Sequence, residues 1–112
     1  MLKMAIVLMT WTKNKMTKLL RVVRSKTKGK KYTAVFQMSN GRTKSTSFGS
    51  QGMDDYTLTH NSQQRSRYRQ RHSKDLRTSD PTRAGFLSYY LLWGPNTNLQ
   101  SNISAYKRKF HM

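Results

Sequence analysis

Twenty-two lysines and arginines stand against four acidic side chains, leaving a formal charge of +18 on 112 residues. A fold of this size cannot neutralise that charge from within. Self-repulsion on such a scale destabilises a compact monomer, and the uncompensated field attracts nucleic acid, anionic membrane or acidic protein surfaces. A polyanionic partner is expected, and a self-contained metabolic enzyme is not. The length provides for one domain. Mean hydropathy of −0.85 and 35% hydrophobic residues lean toward disorder, whereas 11% aromatics supply the large units of burial a folded domain needs. Together these imply a small core that a partner helps to hold.

Cysteine is absent, so neither a disulfide framework nor thiolate metal chemistry can brace the fold. The longest apolar run, Met4 to Trp11, is far shorter than the roughly 18 residues of a membrane span. Lys3 ahead of it gives a faint likeness to a signal peptide, but no small-residue cleavage site follows, and Lys13, Lys15 and Lys18 come next. Residues 1–15 therefore read as an extension, arm or extra strand, and 16–112 as a single basic α+β domain.

Lys18 to Arg24 and Lys31 to Met38 read as strands from their β-branched and aromatic content. In the second, Tyr32, Ala34, Phe36 and Met38 alternate onto one face. Gly29 lies in the basic turn between them. Asn40-Gly41 suits a two-residue type I′ turn, which would fold Arg42 to Phe48 back with Val35 near Thr46 and Phe36 near Ser45. The fold class expected is α+β, a small three-stranded antiparallel meander followed by two or three helices.

The first helix is capped by Asn61 or Ser62 and ends near His72. Its one large apolar side chain is Tyr68, which leaves it no evident face for a core. Arg65 with Arg69, and Arg67 with Arg71, are like-charged neighbours one turn apart, each pair costing about 0.2–0.5 kcal/mol in an isolated helix. An anionic neighbour would relieve them. Asp80-Pro81 reads as the start of a second helix and Gly94-Pro95 as its stop, with Phe86, Tyr89, Tyr90 and Trp93 on one face. A third helix follows Asn96 or Asn98 and repeats Leu99, Ile103, Tyr106 and Phe110. It would pack on the second and leave Lys107, Arg108 and Lys109 at its C-terminal end, where the helix dipole favours cations.

The candidate partner-binding residues follow from charge. Arg65, Arg67, Arg69 and Arg71, continued by Lys74 and Arg77, surround their helix rather than line one face, which suits embedding among several acidic surfaces better than lying in one DNA groove. Lys26, Lys28, Lys30 and Lys31 form a basic hairpin tip able to contact phosphate, although lysine also protects exposed strand edges. Tyr68, Phe86, Tyr89, Trp93, Ile103, Tyr106 and Phe110 are the core or interface set. Gly49 and Gly52 mark a turn that would deliver Asp55 toward the arginine-rich helix and an internal Asp–Arg pair. His60, His72 and His111 with Asp55 lack metal-ligand spacing, so no metal is expected. Four aspartates without glutamate and no nucleophile elbow give no catalytic constellation. Neither enzyme activity, cofactor nor small-molecule substrate is expected, and no groove-reading motif is present.

Three blocks carry a resemblance: Phe48-Gly49-x-x-Gly52-Met53-x-Asp55-Tyr56-Thr57-x-x-His60, then Arg65-x-x-Tyr68-x-x-Arg71-His72, then Thr82-x-Ala84-Gly85-Phe86-Leu87-Ser88-Tyr89-x-Leu91-Leu92-Trp93. Together they resemble a family of small basic proteins of large double-stranded DNA viruses of algae and amoebae, over roughly Lys31 to Phe110. The family brings no activity, so the resemblance implies a viral setting and no catalytic residues. In that setting the expected function is a structural component of the virion, a minor capsid or cement protein that binds acidic surfaces of neighbouring subunits. The alternative is a nucleic-acid binder that condenses or tethers the genome. The implied location is the virion, on the inner side of the capsid, and host cytoplasm or nucleus during assembly.

Overall fold

The computed structural model describes residues 17–112; the arm assigned to residues 1–15 lies outside them. Three strands, β1 (Lys18–Arg24), β2 (Lys30–Gln37) and β3 (Thr43–Ser50), form an antiparallel sheet in the order β1-β2-β3. The alternation in β2 does what the pleat requires. Ala34 and Phe36 are fully buried, with Tyr32 and Met38 packed against the same cluster.

The β2–β3 turn corrects the expected register by one residue. Val35 faces Ser45 and Phe36 faces Lys44. Instead of two loop residues there are three, Ser39-Asn40-Gly41, closed by Met38 and Arg42, with only Gly41 in left-handed space at φ 85°. The hydrophobic pattern explains the choice, because a one-residue slip turns a whole strand over. In the observed register Phe48 joins Tyr32 and Phe36 on the core face; in the two-residue register it would point to the other side.

Two short helices come next, α1 (Tyr56–Thr59) and α2 (Ser62–His72), then a 3₁₀ segment Ser73–Thr78. The second expected helix is shorter and starts later. Asp80 does not cap it. Its Oδ1 accepts from the Thr82 N–H at 2.9 Å and the Thr82 hydroxyl at 2.6 Å, forming a turn through its own chain. The helix α3 (Ala84–Leu87) opens four residues on, continues as a π turn through Ser88–Leu92, and stops at Gly94 as expected. The widened turn brings Leu91, Leu92 and Trp93 inward in succession, so with Leu87 they form the deep core while Tyr89 and Tyr90 sit half-buried on its rim. The expected face of Phe86, Tyr89, Tyr90 and Trp93 was therefore incomplete, because regular helical spacing cannot anticipate an inserted residue.

The last helix, α4 (Leu99–Lys109), is capped by Asn98, whose Oδ1 accepts from Ser101 N–H. Tyr106 is buried and donates its hydroxyl to the Pro81 carbonyl, and Ile103 and Phe110 pack beside it. Buried Asn102 fixes the Gly94–Asn98 connection by donating to the carbonyls of Leu91 and Asn96 and accepting from the Asn96 N–H. The Pro81–Thr82 turn joins sheet and helices, since Lys44 donates to the Thr82 hydroxyl and Thr46 to the Thr82 carbonyl.

The Thr82 hydroxyl holds the Asp80 carboxyl below the usual carboxylate range. A carboxyl with a lower pKa folded than unfolded contributes stability above about pH 4 that is lost as pH falls through the folded value. Asp80→Asn should lower stability at neutral pH and change little at acid pH below the folded value, so that the acid limb of stability against pH flattens, measured by thermal melting.

Candidate polyanion-binding surface

The arginine-rich helix has a core face after all, and arginines make it. Arg65, Tyr68, Arg69 and His72 recur at helical spacing and turn toward α3 and its π turn. The Arg69 guanidinium lies 4.0 Å over the Tyr89 ring and donates to the carbonyls of Tyr89 at 3.0 Å and Trp93 at 2.7 Å. Arg65 Nε donates to the Gly94 carbonyl at 2.6 Å. These carbonyls lie at and just beyond the end of a helix, where four acceptors lack intrahelical donors and the dipole favours positive charge. Burial pulls the Arg69 pKa down, an effect the Tyr89 phenol group opposes. Tyr68 is stacked between Trp93, centroids 4.5 Å apart, and His72, 4.1 Å apart, and burial raises its pKa.

Arg65 and Arg69, expected to face a partner, thus have internal partners, and so does Lys31. Its Nζ lies 2.5 Å from Asp55 Oδ2 and donates to the Met53 carbonyl, while Asp55, 1% exposed, also caps α1 through the Thr57 N–H. The internal pair expected between Asp55 and an arginine is a lysine pair, because the Gly52 turn folds Asp55 back onto β2. Among the described residues Lys31 is the one lysine or arginine in an ion pair; Asp75 instead holds His72 Nδ1 at 3.0 Å.

The other expected cations are exposed. Lys26, Lys28 and Lys30 ring Gly29 at the β1–β2 turn, Arg67 and Arg71 occupy the outer side of α2, Lys74 and Arg77 lie on the 3₁₀ segment, and Lys107, Arg108 and Lys109 end α4. Arg21, Arg24, Arg42 and Arg83 are exposed as well. Sequence reasoning passed over these four because they are isolated rather than clustered. The aromatic set faces the other way. Phe86, Trp93 and Tyr106 are buried and Tyr68, Tyr89, Ile103 and Phe110 half-buried, so they build the core rather than project as anchors. Exposed large apolar side chains are Leu20, Val23, Met53 and Leu58. Among the described residues no group of three or more His, Cys, Asp or Glu could hold a metal ion, and no helix is long and apolar enough to cross a membrane.

A model described as a family of unknown function (DUF5754) matches residues 20–72, from β1 through α2. No curated protein and no solved structure matches the chain.

The two roles of arginine on α2 are separable. Arg69→Ala leaves two carbonyls without their donor and should cost about 2–3 kcal/mol, whereas Arg67→Ala should stay within about 0.5 kcal/mol. Urea denaturation of the two variants measures both.

Proposed function

We propose that the chain is a non-enzymatic structural component of a large DNA virus particle, a minor capsid or cement protein that adheres to acidic surfaces of neighbouring subunits. The viral setting comes from the three matched blocks. The adhesive role is supported by one observation above all: the unpaired cations project from the β1–β2 turn, the outer side of α2, the 3₁₀ segment and the end of α4, elements in different parts of the fold. Charge spread over several elements suits a module wedged among partners more than one laid along a single groove. Electrostatic complementarity of this kind sets register and association rate, and its strength falls with salt.

A second reading, tethering of the viral genome, is favoured by the absence of any fully exposed aromatic anchor among the described residues. Interfaces between proteins draw much of their energy from aromatic hot spots, and here the aromatics are turned inward. Phosphate needs no such anchors. Gentle opening of purified particles separates the two readings: retention with emptied shells supports adhesion to subunits, and release with the genome supports tethering.

Arg67→Ala combined with Arg71→Ala should loosen particle assembly without unfolding the domain, because both side chains are exposed on α2. Normal incorporation of the double variant, in particles of unchanged thermal stability, would remove these two residues from the interface.

A further inference from the structure

A cleft of about 590 Å³ lies between the turn after β3, α2 and the start of α3. Its floor is built by close approaches. Gly49 lies under Leu92, where a Cβ would come within 2.8 Å of that side chain, and a Cβ on Gly85 would come within 2.9 Å of the Asp75 Cβ. One wall is the aromatic stack, running outward from buried Trp93 through Tyr68 to His72, whose side chain is 39% exposed. Asp75 holds the imidazole in place through Nδ1. At the mouth stand Lys30 and Arg71, both exposed and neither in an ion pair.

We propose that this cleft binds a nucleotide unit, a planar base carrying a 5′-phosphate. The base extends the aromatic stack on the open side of His72, as bases stack on aromatic side chains elsewhere. Lys30 and Arg71 take the phosphate, Arg71 with the fork geometry that suits its oxygens. The volume lies within the range of small-molecule sites and accommodates one such unit. Asp54, exposed on the rim, offers an acceptor for a ribose hydroxyl or a base amino group and disfavours a second anionic group. The site shares Lys30 and Arg71 with the spread of surface cations and differs from it in the aromatic stack, which adhesion does not need.

The test is an NMR titration of the full chain with adenosine 5′-monophosphate, adenosine and inorganic phosphate at physiological ionic strength. The monophosphate should bind saturably, with shifts at Arg71, His72 and Ser88, and adenosine or phosphate alone should bind about tenfold more weakly, the scale of losing one stack or one charged contact. His72→Ala should weaken monophosphate binding about tenfold, and His72→Phe, which keeps a ring on the stack, should restore most of it. Two sources share this chemistry, a free nucleotide and the end of a strand. A 5′-phosphorylated hexadeoxyadenylate that outbinds the monophosphate and loses its advantage on dephosphorylation identifies the strand end; equal affinity identifies the free nucleotide. Competition by inorganic phosphate at the same concentration as the nucleotide, shifts centred on Lys107 to Lys109, or unchanged binding by folded His72→Ala would overturn the proposal. None of these bears on particle adhesion through Arg67 and the α4 cations.

Discussion

The fold depends on two half-buried guanidinium groups that join α2 to the end of the π turn. Arg65 and Arg69 reach from α2 to the carbonyls of Tyr89, Trp93 and Gly94, at a helix end that would otherwise carry orphaned acceptors inside the protein. No aliphatic side chain could do this. A leucine at either position would bury as much carbon and leave the carbonyls unsatisfied. The rings of Tyr56 and Tyr89 supply the remaining surface, 5.6 Å and 4.0 Å from the two guanidinium carbons. Buried Gly94 completes the joint, since any Cβ there would lie 2.0 Å from the Tyr90 carbonyl.

Legibility in the sequence tracked the apolar residues. The three strands, the alternation in β2, the stop at Gly94-Pro95 and the repeat on α4 all depend on hydrophobic spacing or on glycine and proline, and each could be read. The register of β3 depended on one loop residue, and the turn dipeptide alone pointed the wrong way; requiring Phe48 to share a face with Phe36 would have corrected it. The seat of α2 was hidden for a different reason. Hydropathy counts arginine as solvent-facing, whereas its stem packs and its head donates to specific acceptors. The signal was present as Arg65, Tyr68, Arg69 and His72 at helical spacing, and it needed to be read as a stripe of donors and rings.

The blocks that carry the viral resemblance acquire a physical meaning. Phe48, Gly49 and Asp55 join the sheet to α1 and α3; Arg65, Tyr68 and His72 are the inner stripe of α2; Thr82, Gly85, Leu87, Leu91, Leu92 and Trp93 form the junction and core. These are residues at which elements meet. The resemblance therefore describes a scaffold, and the cations expected to meet a partner mostly lie outside its named positions, with Arg65 and Arg71 the exceptions.

Bonds to carbonyls leave Arg65 and Arg69 charged, so four acidic side chains face 22 lysines and arginines, and under the proposed function an external polyanion adds to the stability of the protein. Thermal melting at low ionic strength, with and without excess polyglutamate, tests this most directly. A midpoint that rises with the polyanion and returns toward its starting value as salt is added is the expected result. A high midpoint in its absence, unmoved by its addition, would contradict the account.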